Sequence, residues 1–214
     1  NKFNFYEGCD AILVYGVRCR NVGGYATYQE ASRIFYGFCE LDCAPNAQNR
    51  ALVSQNKAAS AKQGGADGSG DPVAGAQFIY WNNSLLADPR APKPANSLAL
   101  GPAKSTQRHA FYNNILHGGG VAEIYTEGAD PDLEQRSHNG YTGLAFWQIP
   151  RKGWGLAEGE FTLPIGARPD RMGRDMRDIL ARDIAPLFPG FTDWDVDCDG
   201  AAVDWSAPPI GCTV

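Results

Sequence analysis

The chain has little histidine and methionine: only His109, His117 and His138, and two methionines, among 214 residues. The histidines are too scattered to form a metal cluster, so none is expected. No stretch approaches ~18 consecutive apolar residues, so no membrane-spanning helix is expected. Lys and Arg total 19 against 24 Asp and Glu, for a net charge of −5. That balance excludes a general nucleic-acid binder, because phosphate neutralisation needs clustered basic side chains. The chain carries no P-loop, no GxGxxG, no GxSxG and no HExxH. No internal repeat of fixed period is evident.

Hydrophobic residues make up 43 % of the chain and aromatics 11 %, which suits a filled core rather than disorder. Glycine (25) and proline (14) are frequent, so short strands and many loops are expected. The six cysteines are Cys9, Cys19, Cys39, Cys43, Cys198 and Cys212. Their even number implies three disulfides and an oxidising compartment, hence a secreted protein. Cys198 and Cys212 are expected to pair and close the C-terminal tail. The other four allow three pairings, between which sequence does not choose. The chain begins at Asn1, which reads as a mature, processed form. Asn82-Asn83-Ser84 is a glycosylation sequon.

Runs at 11–15, 77–81, 121–126 and 144–149 read as buried strands. Residues 28–38 place Ala31, Ile34, Phe35 and Phe38 at helical spacing. Residues 107–117 read as a helix capped by Ser105-Thr106 and ended by Gly118. A further helix is expected over 170–185, and residues 44–75 read as a long loop with a helix near 47–61. The tail from Pro186 is rich in Pro, Trp and Asp. The expected organisation is a catalytic domain over 1–187 and a packed tail over 188–214.

The stretch Glu158-Gly159-Glu160 carries the most chemistry. On a strand, side chains alternate faces, so both carboxylates would point the same way, roughly 7 Å apart. Two like charges at that separation disfavour each other's ionised state, unless a cation or substrate answers them.

Four segments together resemble the ADP-ribosyltransferase toxins, in particular the enzymatic chain of cholera toxin and heat-labile enterotoxin. They are Leu13-Val14-Tyr15-Gly16-Val17-Arg18 with Ile34 to Phe38 downstream; Asn114 to Tyr125 with Ala129-Asp130-Pro131 behind; Glu158 to Gly166; and the tail with Pro189-Gly190-Phe191, Trp194, Trp205 and Ala207 to Cys212. Their order spans about two-thirds of the chain. The resemblance implies an α+β fold, with two small antiparallel sheets around an NAD cleft and helices at the sides, stabilised by disulfides. It implies NAD as substrate and no metal. Glu160 would stabilise the oxocarbenium-like charge as the nicotinamide–ribose bond breaks. Glu158 would orient an arginine acceptor on a host target protein. Arg18, or Arg20 in its place, would hold a phosphate of NAD. Ser105 and Thr106 would support the Glu160 strand, with Ser84 and Ser97 as competitors for the serine role. A delivery subunit is a further partner that the resemblance brings.

Two other readings stand beside this one. Asp195-Val196-Asp197-Cys198-Asp199-Gly200 looks like the first half of a calcium loop, but Ser206 occupies the twelfth position, where that loop needs Glu. The same string resembles a chitosanase motif, which implies a secreted glycosidase using an Asp/Glu pair. The third reading is a non-enzymatic secreted effector or lectin, with tryptophans at its surface.

Overall fold

A computed structural model describes residues 3–5, 10–22, 25–29, 33–43, 50–54, 77–86, 96–100, 108–117, 121–124, 134–142, 158–163 and 172–213. Among these residues the chain winds through successive turns of a coil. Each full turn lays one strand in each of three sheets.

The first sheet orders β1 (Phe3–Phe5), β4 (Tyr25–Gln29), β7 (Arg50–Ser54), β10 (Asn96–Leu100) and β13 (Val121–Ile124). The second runs from β2 (Ile12–Tyr15) through β5 (Arg33–Gly37), β8 (Gln77–Trp81) and β11 (Arg108–Tyr112) to β14 (Glu134–Ser137). The third contains β3 (Arg18–Val22), β6 (Glu40–Cys43), β9 (Ser84–Leu86), β12 (Ile115–His117), β15 (Gly140–Thr142) and β16 (Phe161–Leu163). Every ladder between these strands is parallel. The antiparallel sheets expected from the toxin resemblance are therefore corrected to parallel ones. A lone antiparallel bridge joins Val196 and Ala202. This is a solenoid, in which each turn buries its apolar face only by stacking on its neighbours.

The middle of the second sheet is buried on both faces. Val14, Tyr36, Tyr80 and Phe111 fall on one rung and face the inside of the coil. There the Tyr36 and Tyr80 rings stack at 5.7 Å, and Tyr80 and Phe111 at 4.9 Å with 9° between planes. Such ring pairs add about 0.5–1.5 kcal/mol each beyond their buried area. The alternate rungs, Leu13/Phe35/Ile79/Ala110 and Tyr15/Gly37/Trp81/Tyr112, point outward and pack against the C-terminal segment. Met176, Ile179, Leu180, Ile184, Val203 and Trp205 cover them in one apolar cluster. Gly37 is required here, because a Cβ at that position would lie 2.2 Å from the Trp81 ring.

Residues 28–38 and 107–117, expected as helices, hold β5, β11 and β12 instead. A parallel strand buried on both faces loses its alternation and reads as a continuous apolar run. β7 lies inside the helix expected near 47–61, whose remainder is outside the described residues, as is the strand expected at 144–149. The strands at 12–15, 77–81 and 121–124 stand where the sequence puts them. Helix does occur at residues 177–187, as an α-turn, a π-helical stretch Leu180–Ile184 and a 3₁₀ turn. It shares the outer core with Val203 and Trp205 of the tail. No disulfide stabilises the described fold: Cys19, Cys39, Cys198 and Cys212 are all thiols.

Candidate functional site

The turn from the second sheet to the third has one shape in every coil. Its first residue takes the left-handed conformation: Gly16, Phe38, Asn82, Asn113, His138 and Gly159 have φ between +51° and +66°. Asparagine tolerates this region far better than most side chains. At Gly159 glycine is needed for room as well, since a Cβ would fall 2.5 Å from the His138 ring.

The next residue turns inward, and these residues form a ladder. Asn83 Oδ1 accepts from the Cys39 backbone N–H at 2.9 Å. Asn114 Oδ1 accepts from the Asn83 N–H and Nδ2 at 3.0 and 2.9 Å. Asn139 Oδ1 accepts from the Asn114 N–H and Nδ2 at 3.0 and 3.1 Å. Each amide also donates to a backbone carbonyl of the preceding turn: Tyr36, Tyr80 and Phe111 in order. The asparagines are fully buried, so the ladder supplies donors and acceptors where water cannot.

Glu160 occupies the next rung. Its Oε1 accepts from Asn139 Nδ2 at 2.8 Å and from the Tyr141 hydroxyl at 3.0 Å, and the side chain is 8 % exposed. Glu158 is exposed in the preceding turn, where its carbonyl accepts from the His138 N–H at 2.9 Å. The two carboxylates therefore do not share a strand face: β16 begins at Phe161, and the turn at Gly159 separates them.

Arg18 opens β3, at the far end of the third sheet from β16. Five inter-strand steps of ~4.8 Å put it roughly 24 Å from Glu160. There Arg18 Nη1 pairs with Asp199 at 2.5 Å, Nε with Glu40 at 3.2 Å, and Nη2 donates to Cys198 Sγ at 3.4 Å. Arg20 forks onto Glu40 at 2.6 and 2.8 Å. Both arginines are thus held by carboxylates. Ser105 and Thr106 lie outside the described residues. Ser97 sits within β10, and Ser84 Oγ accepts from the Cys212 N–H at 3.1 Å.

The Asp-rich string is taken up by its own turn. Asp197 Oδ1 accepts from the Asp199 and Ala201 N–H groups, each at 2.8 Å, and Asp199 binds Arg18. Among the described residues no cluster of His, Cys, Asp or Glu is arranged to hold a metal.

A second group centres on the tail thiols. The Cys198 N–H donates to the Cys212 carbonyl at 3.2 Å, and the two thiols hydrogen-bond each other. The bond they share holds the Cys212 thiol below the ordinary range, against the opposing effect of burial, and pushes the Cys198 thiol up. Cys39 is different: burial pushes its thiol up to about 12. Sequence reasoning missed the asparagine ladder. The recurrent Tyr80-Trp81-Asn82-Asn83-Ser84-Leu85 and Phe111-Tyr112-Asn113-Asn114-Ile115-Leu116 were the signal available for it.

No family model, no curated protein and no solved structure matches this chain.

Proposed function

We propose that this chain is a secreted, non-enzymatic binding module of lectin type. The observation that carries the reading is the engagement of Glu160, which ends the buried asparagine ladder at hydrogen-bond distance from Asn139 and Tyr141. A carboxylate committed to the fold in this way is poorly placed to follow charge developing on a substrate. The parallel coil also supports the reading, because stacked turns offer an extended, repetitive surface. On the C-terminal segment that packs on the coil, the half-buried rings of Phe191 and Trp194 meet edge to face at 4.6 Å, and Thr192, Asp193 and Asp195 beside them are exposed. Aromatic faces take the apolar face of a sugar ring, and carboxylates accept from its hydroxyls.

NAD cleavage with transfer to arginine is the competing proposal. It needs Glu160 as the electrostatic group and Glu158 as the acceptor guide, with NAD reaching both. Two measurements on one preparation separate the readings. Titration with soluble polysaccharides of differing charge, read by tryptophan fluorescence, should give saturable binding that Trp194→Ala weakens at least about tenfold, the loss expected for one buried-ring contact. Labelled NAD with a guanidino acceptor should give no release of nicotinamide above buffer. Turnover that falls by about two to three orders of magnitude in Glu160→Gln would overturn the lectin reading and establish the transferase.

A further inference from the structure

The thiols of Cys198 and Cys212 sit where the C-terminal segment crosses the third sheet. Cys212 is buried at 2 % exposure, and its N–H is fixed to Ser84 Oγ at the start of β9. Cys198 is half-buried beside Arg18 of β3. The backbone hydrogen bond between the two cysteines holds their Cα atoms roughly 5–6 Å apart, within the span of a disulfide. The chain from Cys198 to Cys212 closes a loop that follows directly on the turn at Asp197, where Val196 is bridged to Ala202. Both ends of this closed loop therefore rest on the coil.

We propose that Cys198 and Cys212 form a thiol–disulfide exchange site, reactive toward low-molecular-weight disulfides, whose oxidation latches the tail across the third sheet. Cys198 is the entry point because it is the less buried of the two, and the Arg18 guanidinium donates to its sulfur. Access sets the order: the hydrogen bond to Cys212 and burial raise the Cys198 thiol, and the Arg18 cation offsets part of that rise. In the first step Cys198 gives up its proton to solvent. The Cys198 thiolate then attacks one sulfur of the external disulfide. That S–S bond breaks, and the other half leaves as a thiolate. In the second step Cys212 gives up its proton and attacks Cys198 Sγ in the mixed disulfide, releasing the second external thiol. Two protein thiols become one disulfide, and the external disulfide takes the two electrons and two protons as two thiols. Cys39 is fully buried and its thiol donates within reach of the Gly37 carbonyl at 3.3 Å. Cys19 is also buried, and burial raises its thiol. Neither competes as a nucleophile.

The test uses the full chain, reduced, desalted and exposed to oxidised glutathione. Aliquots are quenched with N-ethylmaleimide and mapped without reduction. The expected product is a Cys198–Cys212 cross-linked peptide, with Cys19 and Cys39 recovered as alkylated thiols only after denaturation. Cys212→Ser should halt the sequence at a glutathione adduct on Cys198. Arg18→Gln should slow adduct formation by roughly tenfold, the effect of losing a cation beside the sulfur, with unchanged circular dichroism as the folding control. Time-resolved alkylation of the wild-type chain needs no variant: Cys198 should react first. A cross-link from Cys198 or Cys212 to any other cysteine, glutathione entering first at Cys212, or no oxidation at all would overturn the proposal.

Discussion

Asn139 donates from Nδ2 to Glu160 Oε1 at 2.8 Å, and Glu160 thereby takes the place that asparagine holds in the three preceding turns. A glutamine there keeps an Oε1 acceptor for both Asn139 and Tyr141. Glu160→Gln should therefore fold within about 1 kcal/mol of wild type. Glu160→Ala removes the acceptor from two buried donors and should cost about 1–3 kcal/mol. Urea unfolding of the two variants checks this. Equal losses would mean that the carboxylate's charge, rather than its acceptor, matters to the fold.

The middle of the ladder should be less tolerant than its end. Asn114 accepts twice from Asn83 and donates to Tyr80 and to Asn139. Asn114→Ala takes partners from groups on both neighbouring turns at once, Asn83 and Tyr80 on one side and Asn139 on the other. Its expected cost is about 3 kcal/mol or more, because buried networks fail together. A midpoint within experimental error of wild type would show that water or a rearranged backbone replaces the amide.

Why the sequence revealed some strands and not the coil follows from particular residues. β2 and β8 end in runs such as Ile79-Tyr80-Trp81, which are apolar at every position and short enough to read as strands. The coil itself was hidden by unequal turns. Leu13, Phe35, Ile79, Ala110 and Gln135 stand on one rung at spacings of 22, 44, 31 and 25 residues, so no fixed period appears. The Glu158-Gly159-Glu160 reading failed for a local reason. Its geometry assumed a strand, whereas Gly159 has φ +66° and makes the turn that every coil repeats. The pairing of Cys198 with Cys212 as neighbours was legible, because they are the two cysteines of the C-terminal half; their thiol state was not.

Gly37 is an expected point of failure for the outer core. A methyl group there meets the Trp81 ring at 2.2 Å. The indole must leave its place between Tyr15 and the tail, where Tyr15 and Trp81 lie 6.1 Å apart. Gly37→Ala should cost about 1–3 kcal/mol, the usual range for overpacking, and should shift tryptophan emission toward that of exposed indole. An unshifted spectrum would place the strain elsewhere.

Acid should loosen the seam between the third sheet and the tail. Glu40 is held below its ordinary value of 4.5, chiefly by hydrogen bonds from Arg20, and Arg18 adds to the effect; burial and the Asp199 charge oppose it. The sign follows from linkage. A carboxylate with a depressed folded-state value contributes stability that is fully present above its unfolded value and is lost as pH falls through the folded one. Stability should therefore hold from neutral pH down to about 4.5 and decline below it. Glu40→Gln should flatten that decline while lowering the plateau, because it removes the anion shared by Arg18 and Arg20. Asp10, lowered by its paired bonds from Arg33, adds a second contribution of the same sign, so the decline should be reduced in Glu40→Gln and not abolished. Thermal midpoints from pH 7 to pH 3 for the two chains decide the matter. A variant whose midpoint falls as steeply as wild type would show that Glu40 is not among the groups whose protonation weakens the fold.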